Sequence, residues 1–232
     1  MNWEGVEISQ NGSRTVDLIP ENQSKVSMNI LAKIHDDGNI SGQCRVFYFD
    51  QYALNVRNAF SNSSEEKVIE TYEEEYKLNN IHDFNQKNLD DVSKPLVQSF
   101  KFDPTDGYIE KIGEKLYLSP LIFLKSENNP FKTEERNYPV DYTFPKKYIY
   151  RIYFDLPEGY EIDYIPEKNI FKMAEDMLTF TYMIQSDGNK LVVDVTKDIS
   201  TSSVMPIHYP NLREYYNSMI DKENDKVVLI KP

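Results

Sequence analysis

The feature that most constrains this chain is a two-residue rhythm broken by one turn signal. Val26, Met28, Ile30, Ala32 and Ile34 alternate with polar residues, and Ile40, Gly42, Cys44 and Val46 resume the alternation after Asp37-Gly38. A period of two puts one set of side chains on a buried face and the other in water. Asp-Gly supplies the positive φ angles of a tight hairpin turn. A chain built around such a hairpin needs a sheet and a second layer to cover it.

The same reasoning extends the sheet. Tyr148, Tyr150, Ile152 and Phe154 alternate before the turn residues Pro157-Glu158-Gly159, and Tyr160, Ile162 and Tyr164 form a shorter run. Residues 178–184 and 191–195 flank Ser186-Asp187-Gly188-Asn189 as a second hairpin, and short strands are expected over 97–102, behind Pro95, and over 227–230. Helical spacing is rarer. A helix over 51–60, with Asp50 as its N-cap, carries Leu54, Val56 and Phe60. A second follows Ser63-Ser64-Glu65-Glu66, a capping-box pattern, with Val68, Ile69, Tyr72 and Tyr76 on one face. A third spans 209–220, with Pro210 allowed in its first turn.

The fold class expected is mainly β with some α. It is an antiparallel sandwich-like architecture with a two-helix insertion in the first half and one helix near the C-terminus. The polar stretch 125–137 marks a soft boundary between regions 1–125 and 126–232, which are free to form one continuous domain sharing one sheet.

Composition excludes several functions. Thirty-eight Asp and Glu oppose 26 Lys and Arg, a net charge of −12, which argues against nucleic acid, whose binding needs a concentrated positive field. One cysteine excludes an internal disulfide and a multi-cysteine zinc site. The longest apolar stretch, 116–124, contains Ser119 and Pro120 and is too short to span a bilayer. The N-terminal residues carry neither a basic nor an apolar leader segment.

Candidate chemistry is thin. Cys44 lies mid-strand on the apolar face, where free cysteine is a small buried hydrophobe, and Arg45 points the other way. His35, His82 and His208 sit in three separate segments, none with the spacing of a helical metal motif. The runs Asp103-Pro104-Thr105-Asp106-Gly107, expected as a hairpin turn, and 221–225, expected as a helix-ending loop, lack the full ligand pattern of a calcium loop. Glu73-Glu74-Glu75 is expected as a solvated helix face. No acid pair is marked for glycosidase work, and no phosphate loop or nucleophile elbow is present. The scattered tyrosines could stack on sugar rings, although tyrosine in strands more often packs. The residues therefore assign no catalytic, cofactor-binding or metal-ligating position.

A resemblance carries the reading further. Asp37-Gly38-Asn39-Ile40-Ser41-Gly42, Tyr52-Ala53-Leu54-Asn55-Val56-Arg57 and Asn88-Leu89-Asp90-Asp91-Val92-Ser93-Lys94-Pro95-Leu96 are followed by Leu116-Tyr117-Leu118-Ser119-Pro120. Then come Asn129-Pro130-Phe131-Lys132 and Glu135-Arg136-Asn137-Tyr138-Pro139-Val140-Asp141-Tyr142. Last are Leu156-Pro157-Glu158-Gly159-Tyr160-Glu161-Ile162 with Ile165-Pro166, and Tyr209-Pro210-Asn211-Leu212-Arg213-Glu214-Tyr215-Tyr216. In this order, from about Ser13 to Lys231, they resemble the C-terminal region of bacterial exported proteins that carry a transglutaminase-like domain.

The resemblance implies that the catalytic Cys, His and Asp lie in a preceding enzyme domain and that none of them maps onto this chain. It implies a non-catalytic accessory domain, exported to the periplasm or cell envelope. Its partner is then its own upstream transglutaminase-like domain or a cell-envelope protein or glycan, with no cofactor. The prolines and Arg136 are expected to be structural, Arg136 pairing with a carboxylate or carbonyl. The competing expectation is a free-standing carbohydrate- or protein-binding sandwich with Tyr and Phe as its platform.

Overall fold

The fold is seen in a computed structural model that describes residues 4–20 and 22–232. Met1–Trp3, part of the segment read for a leader, lie outside the described residues. Strands β1 (Glu4–Ser9) and β2 (Gly12–Asp17) pair as a hairpin of their own. Next come β3 (Ser24–Ile34), β4 (Ile40–Tyr48), α1 (Asp50–Phe60), α2 (Glu65–Tyr76), β5 (Ile81–Lys87), β6 (Leu96–Thr105), β7 (Ile109–Ile112) and β8 (Lys115–Leu118). After a long connection the chain forms β9 (Val140–Asp141), β10 (Lys146–Asp155), β11 (Glu161–Tyr164), β12 (Asn169–Lys172), β13 (Leu178–Asp187), β14 (Lys190–Ile199), β15 (Ser203–Val204), α3 (Tyr209–Glu223) and β16 (Val227–Ile230).

An eight-stranded sheet in the order β12-β13-β14-β10-β3-β4-β6-β5 draws strands from both halves of the chain. All its pairings are antiparallel except one: β10 runs parallel to β3, Tyr150 lying opposite Met28 and Ile152 opposite Ile30. A four-stranded antiparallel sheet, β11-β16-β8-β7, and the helices cover its inner face, and all of them share one hydrophobic core. The mainly β, sandwich-like class with three helices holds. An eight-stranded sheet that is mixed, rather than purely antiparallel, is the departure.

The alternation predicts the buried face correctly. Ile30, Cys44, Phe100, Ile152, Phe154, Phe180 and Val193 are all sealed from solvent. Apolar burial at ~25 cal/mol per Å² is what holds these layers together. At Gly42 a Cβ would lie 2.5 Å from the Leu31 carbonyl and 2.9 Å from the Phe102 ring. The register between β4 and β6 also slips there, between Ile40 and Gly42, so only glycine fits so close an approach.

Several local expectations need correction. The β3–β4 hairpin turns through five residues, His35 N donating to Asn39 O and Gly38 N to His35 O, and of the Asp37-Gly38 pair Gly38 alone has a positive φ, 88°. Asp50 does not cap α1; it is the helix's first residue, with φ 49°. The Ser24 hydroxyl instead accepts from Gln51 N at 3.3 Å. The buried stripe of α1 is Ala53 and Arg57, leaving Leu54 44% exposed. Ser64 does cap α2, accepting from Lys67 N.

Glu73 is not merely solvated, because its carboxylate accepts from Ile81 N at 2.7 Å and ties α2 to β5. Glu74 and Glu75 are exposed, as expected, although partial burial raises the Glu75 carboxyl above its usual range. Residues 103–107 are not a hairpin turn, since β6 and β7 belong to different sheets. The 221–225 segment does end a helix, as expected.

Candidate functional site

Aromatic side chains from four elements converge over the parallel seam of the large sheet. Tyr148 and Tyr150 project inward from β10 because they are in phase with Ile152 and Phe154. Tyr52 reaches them from α1, its ring 5.6 Å from Phe144 and its hydroxyl donating to that of Tyr148. Tyr215 and Tyr216 come from α3, and Tyr142 follows β9. The Tyr142 and Tyr216 hydroxyls lie 3.2 Å apart. With Lys146, Lys197, Ser126 and Leu124, most of these residues line a cleft of about 390 Å³. An adjoining, more apolar space of about 430 Å³ shares Leu124, Tyr148 and Tyr150 and runs toward Tyr72 and Tyr76.

Burial pushes the phenols of Tyr52, Tyr142, Tyr150 and Tyr215 well above the usual range. Tyr148 and Tyr216 move the same way for the same cause, partly offset by hydrogen bonds from Tyr52 and Tyr142. These hydroxyls are therefore neutral near pH 7, suited to hydrogen bonding and ring stacking rather than to acting as bases.

One wall carries a buried ion pair. Glu223, near the end of α3, is 1% exposed; its Oε1 lies 2.6 Å from the Lys197 ammonium and its Oε2 accepts from Ser126 N at 2.7 Å. Lys197 also donates to Ser126 Oγ at 3.1 Å and lies 5.8 Å from the centre of the Tyr150 ring. A serine hydroxyl beside a lysine resembles a nucleophile–base dyad. Here the lysine donates to the serine oxygen and to Glu223, the reverse of the direction in which a base would take the serine proton.

The other wall carries Lys146. Its ammonium lies 5.4 Å from the centre of the Tyr142 ring and 5.2 Å from that of Phe144. Burial lowers its pKa, and the Asp141 charge opposes that only in part. The folded pKa thus lies below the unfolded one, so carrying the charge costs stability at every pH below the folded pKa. Lys146→Met should raise stability at pH 7 by about 0.5 kcal/mol, modest because the side chain is part-exposed. The gain should shrink as pH rises through the folded pKa and vanish above the unfolded one. Urea titrations at pH 7 and pH 11 check this.

The cysteine and histidines weighed from sequence lie elsewhere. Cys44 is 0% exposed, and burial alone pushes its thiol far up. An aromatic disulfide reagent should therefore label it only at the global unfolding rate; fast labelling of native protein would contradict the sealed core. His35 Nε2 is 2.7 Å from Ser41 Oγ in the β3–β4 loop, His82 sits on the edge strand β5, and His208 precedes α3. Among the described residues no group of three or more His, Cys, Asp or Glu is placed to hold a metal. Among the described residues no helix is long and apolar enough to cross a membrane.

Segments distant in sequence do meet. Arg57 Nε donates to the carbonyl of Leu89, and its Nη2 group to those of Asn88, Asp91 and Lys94, all at 2.9 Å. Phe131 packs edge-on against Tyr209 and Tyr216, and its carbonyl accepts from Arg213 Nε. Arg136 Nε donates to the Tyr138 carbonyl.

The sequence signal for the cleft was a phase anomaly. Lys197 falls in step with Leu191, Val193 and Val195, and Glu223 lies four residues after Met219 on the buried stripe of α3. A charge in phase with a buried face has to be answered by another charge.

Comparison with known proteins gives one family and one structure. A family model described as a domain of unknown function with a solved structure, DUF3858, matches residues 114–229. No curated protein matches the chain. The crystal structure of a "putative protease" from Parabacteroides distasonis aligns at a TM-score of 0.37 with 13% identity, over 43% of this chain and 19% of that one.

Proposed function

The chain belongs to the DUF3858 family of domains of unknown function, and on that premise we propose that it is a non-catalytic accessory domain of an exported, transglutaminase-like bacterial protein. The ordered segments from Asp37-Gly38-Asn39 to Tyr209-Pro210-Asn211 support this placement, since they resemble the region that follows the enzyme domain in such proteins. The observation that carries the non-catalytic part is the state of the one thiol. Cys44 is closed inside the sheet with its pKa raised, whereas a cysteine nucleophile needs an accessible thiolate. Ser126 offers no alternative, since Lys197 donates to its hydroxyl oxygen.

The domain's work is then to support the enzyme domain or to engage a protein or glycan of the periplasm or cell envelope. Purified chain should give no turnover above buffer on peptide, ester and amine-transfer substrates. Turnover that one point substitution in this chain abolishes would overturn the non-catalytic reading. Sequencing the gene upstream of the Asn2 codon tests the context: an in-frame export signal and a Cys/His/Asp enzyme domain are expected. A stop codon with an independent promoter would sink it.

A further inference from the structure

The two cations of the tyrosine cleft are in opposite states. Lys197 spends its donors on Glu223 and Ser126. Lys146 has no hydrogen bond or ion pair at its ammonium among the described residues, only the flanking rings of Tyr142 and Phe144 and a weak attraction from Asp141. A part-buried ammonium without a carboxylate is disfavoured, and a ligand's negative charge would answer it.

The space beside Lys146 defines that ligand further. A cleft of about 390 Å³ suits one small ring molecule. Its walls offer phenol faces for stacking and neutral hydroxyls for hydrogen bonds. The Tyr142–Tyr216 contact, at 3.2 Å, is long for an O–H···O bond and readily exchanged for a ligand hydroxyl. Glu223 answers Lys197 directly, whereas Lys146 has only the more remote charge of Asp141 beside it, so within the cleft the Lys146 ammonium is the cation open to a ligand. One cation of the cleft without an ion pair among the described residues matches one carboxylate; a phosphate dianion or a diacid would need two.

We propose that this cleft binds a small ligand bearing a single carboxylate on a hydroxylated ring, the chemistry of an acidic sugar. The carboxylate meets Lys146, the ring lies against Tyr148 and Tyr150, and hydroxyls meet the Tyr142–Tyr216 pair. This stands on the cleft alone and does not depend on the accessory-domain reading.

Calorimetric titration at low salt with D-glucuronate, N-acetylmuramate, D-glucose and 4-hydroxybenzoate tests it. At least one acidic sugar should bind roughly tenfold or more tighter than D-glucose. Lys146→Gln should erase that preference, Lys146→Arg should retain most of it, and added salt should weaken it. Equal binding of glucose and the acidic sugars, or binding by neither acidic sugar, overturns the proposal. Tighter binding of 4-hydroxybenzoate, whose ring is flat and aromatic with one hydroxyl, overturns the assignment to a sugar.

Because a variant can lose its fold, a second measurement uses the unmodified protein. In isotope-edited spectra the ring signals of Tyr142, Tyr148 and Tyr216 should move with the bound sugar. Those of Tyr108 and Tyr182 should not, and the reverse pattern would place binding elsewhere.

Discussion

Lys197→Met should lower the folding free energy by about 3–5 kcal/mol, because it leaves the Glu223 carboxylate buried with only the Ser126 amide as partner. Glu223→Leu should cost less, about 2 kcal/mol. The Lys197 side chain retains some solvent access and can turn its head toward water. The double variant should return to within about 1 kcal/mol of the native protein, since removing both charges removes the desolvation cost along with the attraction. Urea denaturation of the four proteins closes the cycle, with a coupling of at least about 4 kcal/mol expected. Single variants within about 0.5 kcal/mol of native would mean that the carboxylate reaches water and the wall of the cleft is open.

Arg57→Met should cost about 3 kcal/mol, for a different reason. The guanidinium answers four backbone carbonyls in residues 88–94, and hydrogen bonds from a charged donor are each worth more than neutral ones. Some of that loss returns as the freed carbonyls take up water. Arg57→Lys should recover less than half, since an ammonium cannot present the planar fork that spans the loop. Hydrogen exchange should localise the damage: amides of 88–94 and of the start of β6 should lose protection first, while β13 and β14 keep theirs. Uniform loss across the protein would show that the loop is no separate unit.

How much of this was legible in the sequence follows from what periodicity measures. Alternation reports which face a strand buries, so β3, β4, β10, β13 and β14 could be read with their buried sides. It does not report a strand's partner, so the parallel contact of Tyr150 with Met28 could not be foreseen. The β1–β2 hairpin was silent because it buries almost nothing, Ile8 being 82% exposed. β5 was hidden by a backbone break at Asp83, φ 51°, which spoils the alternation after Ile81. Arg57 went unread because Leu54 and Val56 looked like the apolar stripe, whereas Ala53 and Arg57 face the core. The cleft was visible only as scattered tyrosines; its lysines could be found by asking which charges keep step with a buried face.

The parallel seam between β3 and β10 also has a bearing on how the protein is made. On the ribosome, β3 and β4 emerge early, but the strand that closes the free edge of β3 appears only after the whole segment from α1 to β9 has been synthesised. At ~5–20 residues per second that delay is on the order of ten seconds. For that interval Val26, Met28 and Ile30 border an open edge able to pair with any neighbouring strand. Aggregation during expression should therefore depend on translation speed through this segment and on chaperone supply, even where the finished protein is stable.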